Sequence, residues 1–149
     1  MAVPKVLIVV AHPVIASGLE TLLRLEGDYD VRRVPSVTEA AKQREWRPDV
    51  ALVDGTLLAG YTDATIGAPS LVLSGNERDG RQLARRLDDG RGWLRKDATG
   101  KELAQAIRSA MRGEEPGESG LGALGIVTIA VLSLIVLALV GYLLWLAMY

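Results

Sequence analysis

From Ser119 to Tyr149 the chain carries no charged side chain, and most of these residues are Leu, Val, Ile, Ala or Gly. A helix needs roughly 20 apolar residues to cross about 30 Å of hydrocarbon. The stretch from Leu121 to Met148 exceeds that, with Thr128 and Ser133 as its only small hydroxylated residues. It predicts one transmembrane α-helix over residues 121–149. Tyr142, Trp145 and Tyr149 gather at its far end, where amphipathic rings favour the membrane interface, and are expected to anchor it there. Gly122, Gly125, Ala130, Ser133, Ala138 and Gly141 leave room for a second helix to approach. The expected partners are therefore the lipid bilayer and an integral membrane protein.

With that run uncharged, all 17 basic and 18 acidic side chains lie before it, in a segment long enough for one domain. That segment is near neutral and offers no electrostatic footprint for nucleic acid. The absence of cysteine excludes disulfides, thiolate metal sites and thiol chemistry. The first apolar run, Val6 to Ala11, is too short for the core of a secretory signal. Lys101, Arg108 and Arg112 precede the apolar tail and place its near side in the cytoplasm by the positive-inside rule. A single-pass protein with a cytoplasmic N-terminal domain is the expectation.

Strand and helix signals alternate through residues 1–113. Lys5 to Val10 is continuously apolar after its first residue, as in a parallel strand covered on both faces. Pro13 suits a first helical position, Ile15, Leu19, Leu22 and Leu23 recur at helical spacing, and Gly27 ends that helix. Asp30 to Val34 reads as a second strand. Ser36-Val37-Thr38-Glu39 has capping-box spacing and opens a helix to about Trp46, broken by Arg47-Pro48. Asp49 to Val53 is a third strand, residues 55–69 a loop, Ser70 to Leu73 a fourth strand, Arg81 to Leu87 a helix, and Gly92 to Leu94 a fifth strand. Thr99-Gly100-Lys101-Glu102 is another capping box, opening a helix through Met111. The pattern predicts an α/β fold, a doubly wound five-stranded parallel sheet, with its functional crevice at the carboxyl ends of the strands. Gly, Pro and acidic residues then make 114–120 a linker.

Four blocks at those strand ends carry a resemblance. Val6-Leu7-Ile8-Val9-Val10-Ala11-His12-Pro13 is similar to VLIVDDHP, Arg47-Pro48-Asp49-Val50-Ala51-Leu52-Val53-Asp54 to RPDVVLLD, Leu71-Val72-Leu73-Ser74 to VLVLS, and Gly92-Trp93-Leu94-Arg95-Lys96-Asp97-Ala98 to GYLLKDA. In this order they resemble the receiver domain of bacterial two-component response regulators, from the branch whose receivers precede a helix-turn-helix. The resemblance implies that Asp54 stands at the phospho-acceptor position, Ser74 at the switch hydroxyl, Trp93 at the switch aromatic and Lys96 at the lysine that holds phosphoryl oxygens. It also implies a loss. The two acidic residues with which receivers hold Mg²⁺ are here Val10 and Ala11, which cannot ligate a cation. The segment between Asp54 and Ser74 is several residues shorter than in the family, which points to a shortened third-helix region.

Phosphoryl transfer rests on positioning and on charge neutralisation, much of it supplied by the metal. Asp54 is thus expected to be inactive and to pair with Lys96. His12, the only histidine, has no companion ligands and reads as a helix-entry residue. The basic residues between Arg78 and Lys96 are interleaved with Glu77, Asp79, Asp88, Asp89 and Asp97, as on a solvated face. No Walker loop, dinucleotide fingerprint or paired carboxylate calls for a cofactor or an enzymatic activity. The reading is a non-catalytic, membrane-tethered pseudo-receiver at a bacterial inner membrane. It would be an interaction, scaffolding or regulatory accessory subunit of a larger complex, gripped through the tail and the Trp93 face. The alternative is a receiver phosphorylated on Asp54 that signals at the membrane.

Overall fold

The structure is a computed structural model that describes residues 2–113 of the 149. The expected linker 114–120 and transmembrane helix, with Tyr142, Trp145 and Tyr149, lie outside the described residues. No helix among the described residues is long and apolar enough to cross a membrane.

Five parallel strands, β1 (Lys5–Val9), β2 (Asp30–Val34), β3 (Val50–Asp54), β4 (Ser70–Ser74) and β5 (Gly90–Arg95), form one sheet in the order β2-β1-β3-β4-β5. Successive residues of a strand point to opposite faces, so a strand that is apolar throughout must be covered twice. On one face Val6, Ile8, Val50, Leu52, Leu71 and Leu73 pack under α1 (Pro13–Glu26) and α4 (Gly100–Met111), chiefly against Leu23, Leu103 and Ile107. On the other, Leu7, Val9, Ala51, Val53 and Val72 meet Val37 and Ala40 of α2 (Val37–Ala41), Ala84 of α3 (Glu77–Ala84), and Leu58, Ile66 and Leu87 from the connections.

Side chains close the starts of α2, α3 and α4. Ser36 Oγ accepts from the Glu39 amide at 3.2 Å, and Asn76 Oδ1 from the Asp79 amide at 2.9 Å. At α4 the capping box is reciprocal: Thr99 Oγ1 accepts from the Glu102 amide, and Glu102 Oε2 accepts from the Thr99 amide at 2.7 Å. The bonds from Thr99 hold the Glu102 carboxyl below its ordinary value. A depressed folded-state value means that this stabilisation is present above the unfolded value, about 4.3, and is lost as pH falls through the folded one. Glu102→Gln should therefore lower the melting temperature at pH 7, and the difference from the parent should close as pH falls below about 4. Melting curves across that range check it; a difference constant with pH would contradict it.

Two helices depart from the sequence expectation. The one expected from Ser36 to Trp46 is α-helical only to Ala41, then tightens to a 3-10 helix over Lys42–Trp46 and ends at Arg47 with φ 52°. Pro48 explains the ending, because the residue before proline is excluded from the right-handed helical region. The helix expected over Arg81 to Leu87 instead begins at Glu77, under the Asn76 cap, and stops at Ala84. Leu87 is free to form a parallel bridge with Ala64.

That bridge belongs to the connection from β3 to β4, whose only helical element is a 3-10 turn, Gly55–Leu58. Backbone groups that leave a helix need other partners, and the residues flanking Leu87 supply them. The Ala64 amide donates to the Arg86 carbonyl at 2.7 Å, and the Asp88 amide to the Ala64 carbonyl at 3.0 Å. The Asp88 carboxylate accepts from the amides of Ile66 and Gly67. Arg86 Nη1 donates to the carbonyls of Leu58 and Tyr61, each at 3.3 Å. Ala64, Ile66 and Ala68 are buried beneath this lacing.

At the far edge, β2 presents two arginines that are both held. Arg33 Nε lies 2.9 Å from Glu20, while Arg32 stacks 4.6 Å above the Trp46 ring and donates to Gln43.

Candidate functional site

The parallel sheet brings the ends of β1, β3, β4 and β5 to one rim, and the strand order reverses beside β1, where an open sheet forms a crevice. Asp54 is the last residue of β3 and Ser74 the last of β4; Lys96 follows β5. Lys96 Nζ sits 3.0 Å from Asp54 Oδ1, with the aspartate side chain 15% exposed and the lysine 46%. Asp54 Oδ1 also accepts from the Thr56 amide at 3.1 Å, so the carboxylate opens the 3-10 turn as well as holding the lysine. The Lys96 amide donates to the Ser74 carbonyl. Ser74 Oγ, almost fully buried, donates to the Asn76 carbonyl at 3.0 Å. Its hydroxyl serves the β4–α3 turn.

Trp93 is half-buried against α3. A Cβ on Gly80 would stand 2.8 Å from three Trp93 atoms, so the indole lies directly on the backbone of that helix. On either side of Lys96 in the chain, Arg95 and Asp97 form an exposed pair at 2.7 Å. Their mutual hydrogen bond raises the arginine above and lowers the aspartate below its ordinary value. Arg81 with Glu77 and Arg91 with Asp89 are likewise paired locally, which spends part of the basic cluster along this surface on its own acidic neighbours.

Val10 and Ala11 occupy the rim beside Asp54's strand. The Val10 side chain is 3% exposed and packs in the α1–α4 core layer, and its amide donates to the Val34 carbonyl. Ala11 is exposed and offers a methyl group. His12 occupies the N-cap position of α1 without a side-chain cap bond. A hard octahedral cation wants one or two carboxylates together with waters and phosphate oxygens. One valine turned into the core, one methyl group and one carboxylate already engaged by Lys96 and Thr56 do not fit Mg²⁺.

Asp54→Asn tests how much the pair holds the fold. The lysine is half in water, so losing it should cost less than about 1 kcal/mol. An amide oxygen can still accept from Thr56. Urea unfolding of the full chain should give a midpoint close to the parent's, and a large drop would make Asp54 a structural keystone.

No protein-family model matches the chain, and no curated protein does. Solved structures do. A LuxR-family two-component response regulator from Aurantimonas sp. SI85-9A1 is 21% identical, with 76% of this chain and 89% of that one covered at a TM-score of 0.64. A signal receiver domain from Mycobacterium tuberculosis is 21% identical over 76% of this chain and 100% of its own, at 0.63. The fold is that of a response-regulator receiver domain. A further receiver domain, from Clostridium thermocellum, is 20% identical over 74% of this chain and 95% of its own, at 0.58. Within that receiver fold, Asp54, Ser74 and Lys96 converge on one rim, and Trp93 lies one strand position from Leu94 against α3. The roles of Thr56, Asn76 and Gly80 were not read from the sequence. Asn76 had a visible signal, an amide side chain three residues before Asp79, whereas a glycine at position 80 carries no local sign of the indole it meets.

Proposed function

We propose that this chain is a membrane-tethered, receiver-fold interaction module that works without Mg²⁺-dependent phosphoryl transfer. It would be a scaffolding or regulatory accessory subunit of an inner-membrane complex and not an enzyme. One observation carries the reading: at the rim where a receiver would place its metal ligands, Val10 faces the core and Ala11 ends in a methyl group, while Lys96 already offsets the charge of Asp54. The uncharged run from Ser119 onward supports tethering, with the domain on the cytoplasmic side and Tyr142, Trp145 and Tyr149 at the distal interface. Partner contact is assigned to that helix and to the surface around Trp93.

Incubation of the full chain with a small phosphodonor and Mg²⁺ tests the non-catalytic half. We expect no stoichiometric labelling. Labelling that disappears in Asp54→Asn would establish the other reading, a phosphorylatable receiver signalling at the membrane. Purification in mild detergent tests the accessory-subunit half, with a stoichiometric integral membrane partner as the expected result. Recovery of the chain with lipid alone would replace that half by simple recruitment to the bilayer.

A further inference from the structure

A groove of about 430 Å³ lies between the 3-10 turn and α3, opening beside Lys96. That size lies within the roughly 300–1,000 Å³ of small-molecule sites. Its floor is apolar. Leu73 and Leu83 line it, and Gly55 sits so close that a Cβ there would meet Leu83 Cδ1 at 2.9 Å. Thr56 and Ala59 form one wall; Gln82 and, two residues past the end of α3, Arg86 belong to the other.

The charges around the groove are unevenly matched. Lys96 is offset by Asp54. Asp79 accepts from Asn76 Nδ2 at 2.7 Å and lies in the first turn of α3, where a helix favours negative charge. Arg86 is different: half-buried, it makes no ion pair among the described residues. Its hydrogen bonds to Leu58 and Tyr61 both come from Nη1, and a guanidinium has five N–H donors in a fixed fork suited to a carboxylate. An uncompensated cation beside an apolar floor selects a ligand with one negative head and an apolar body.

We propose that this groove binds a small organic monocarboxylate, with its carboxylate on Arg86 and its apolar body over Leu83 and Leu73. The groove adjoins the Asp54 rim and shares Ser74 and Lys96 with it, while its Arg86 end lies away from Asp54 and is independent of whether the tail crosses a membrane. It would give a receiver that lacks metal ligands a different chemical input, because its open end reaches Ser74 and Lys96.

Benzoate is the probe and benzamide its neutral counterpart, titrated into the full chain in lipid nanodiscs with methyl-labelled Leu and Ala. Saturable benzoate shifts at Leu73, Leu83 and Ala59 are expected, with benzamide weaker by about tenfold or more. Arg86→Gln should cost benzoate a similar factor. Because that change also loosens the Leu58 and Tyr61 carbonyls, Ala59→Trp, which fills the mouth from an exposed position, serves as the second variant and should remove the shifts. Equal response to benzamide, no saturable shift, shifts centred away from the groove, or binding unchanged in Ala59→Trp would each overturn the proposal.

Discussion

Leu52→Ala is expected to destabilise the domain by about 3–4 kcal/mol, a large share of the 5–15 kcal/mol that holds a typical domain folded. Leu52 is fully buried in the middle of β3, in register with Ile8 on one side and Leu71 on the other, under the α1–α4 layer. Truncation removes three carbon atoms from a layer closed by Leu23, Leu103 and Ile107. Helices on one side and a hydrogen-bonded sheet on the other limit collapse around the hole. Urea unfolding of the full chain should show a lower midpoint with an unchanged slope. A loss below about 1.5 kcal/mol would mean that the layer relaxes freely. The rim depends on this residue, since Asp54 lies two positions further along the same strand and takes its place from it.

Gly80→Val should cost about 3 kcal/mol, against the helix propensity that any residue gains over glycine. The new Cβ would stand 2.8 Å from Trp93 Cβ, Cγ and Cδ2, atoms too near the main chain of β5 to swing aside. Either α3 lifts from the sheet or the indole leaves its place, and Trp93 fluorescence, read with Trp46 and Trp145 replaced by Phe in both parent and variant, distinguishes them. With the helix lifted, stability falls and the emission shifts only slightly. With the indole expelled, emission moves to the red and the surface around Trp93 is rebuilt, so partner recovery in detergent should fall in parallel. A Gly80→Val protein as stable as the parent would show that the contact yields easily.

Much of the fold was legible because its signals are local and redundant. β1, β3 and β4 read as strands from unbroken apolar runs, Pro13 marked the start of α1, and Ser36 and Thr99 announced helix starts that their side chains then capped. The misplacements came from tertiary demands. Gly80 weakens a helix in isolation, but the close approach of Trp93 requires a residue without a side chain there. The segment 59–69 has no periodicity to read, because much of its backbone is satisfied by Arg86 and Asp88, more than 20 residues away. The rim residues Asp54, Ser74 and Lys96 were legible as a set only through the resemblance of four ordered blocks to receiver domains. The groove was not legible at all, since its walls, the 3-10 turn after β3 and α3, are about 20 residues apart in the chain and meet only in the fold.

The held arginines of β2 bear on what happens when many copies are crowded together. An unpaired border strand is a template on which another chain can add, and natural sheets discourage this with charge. Here Arg33 is tied to Glu20 and Arg32 is stacked on Trp46, so neither can swing away to admit a neighbouring strand. Joining two such borders would bring guanidinium groups from both chains together and strip water from them. Copies brought to high local density should thus not zip together border to border through β2, leaving the crevice rim of each one available.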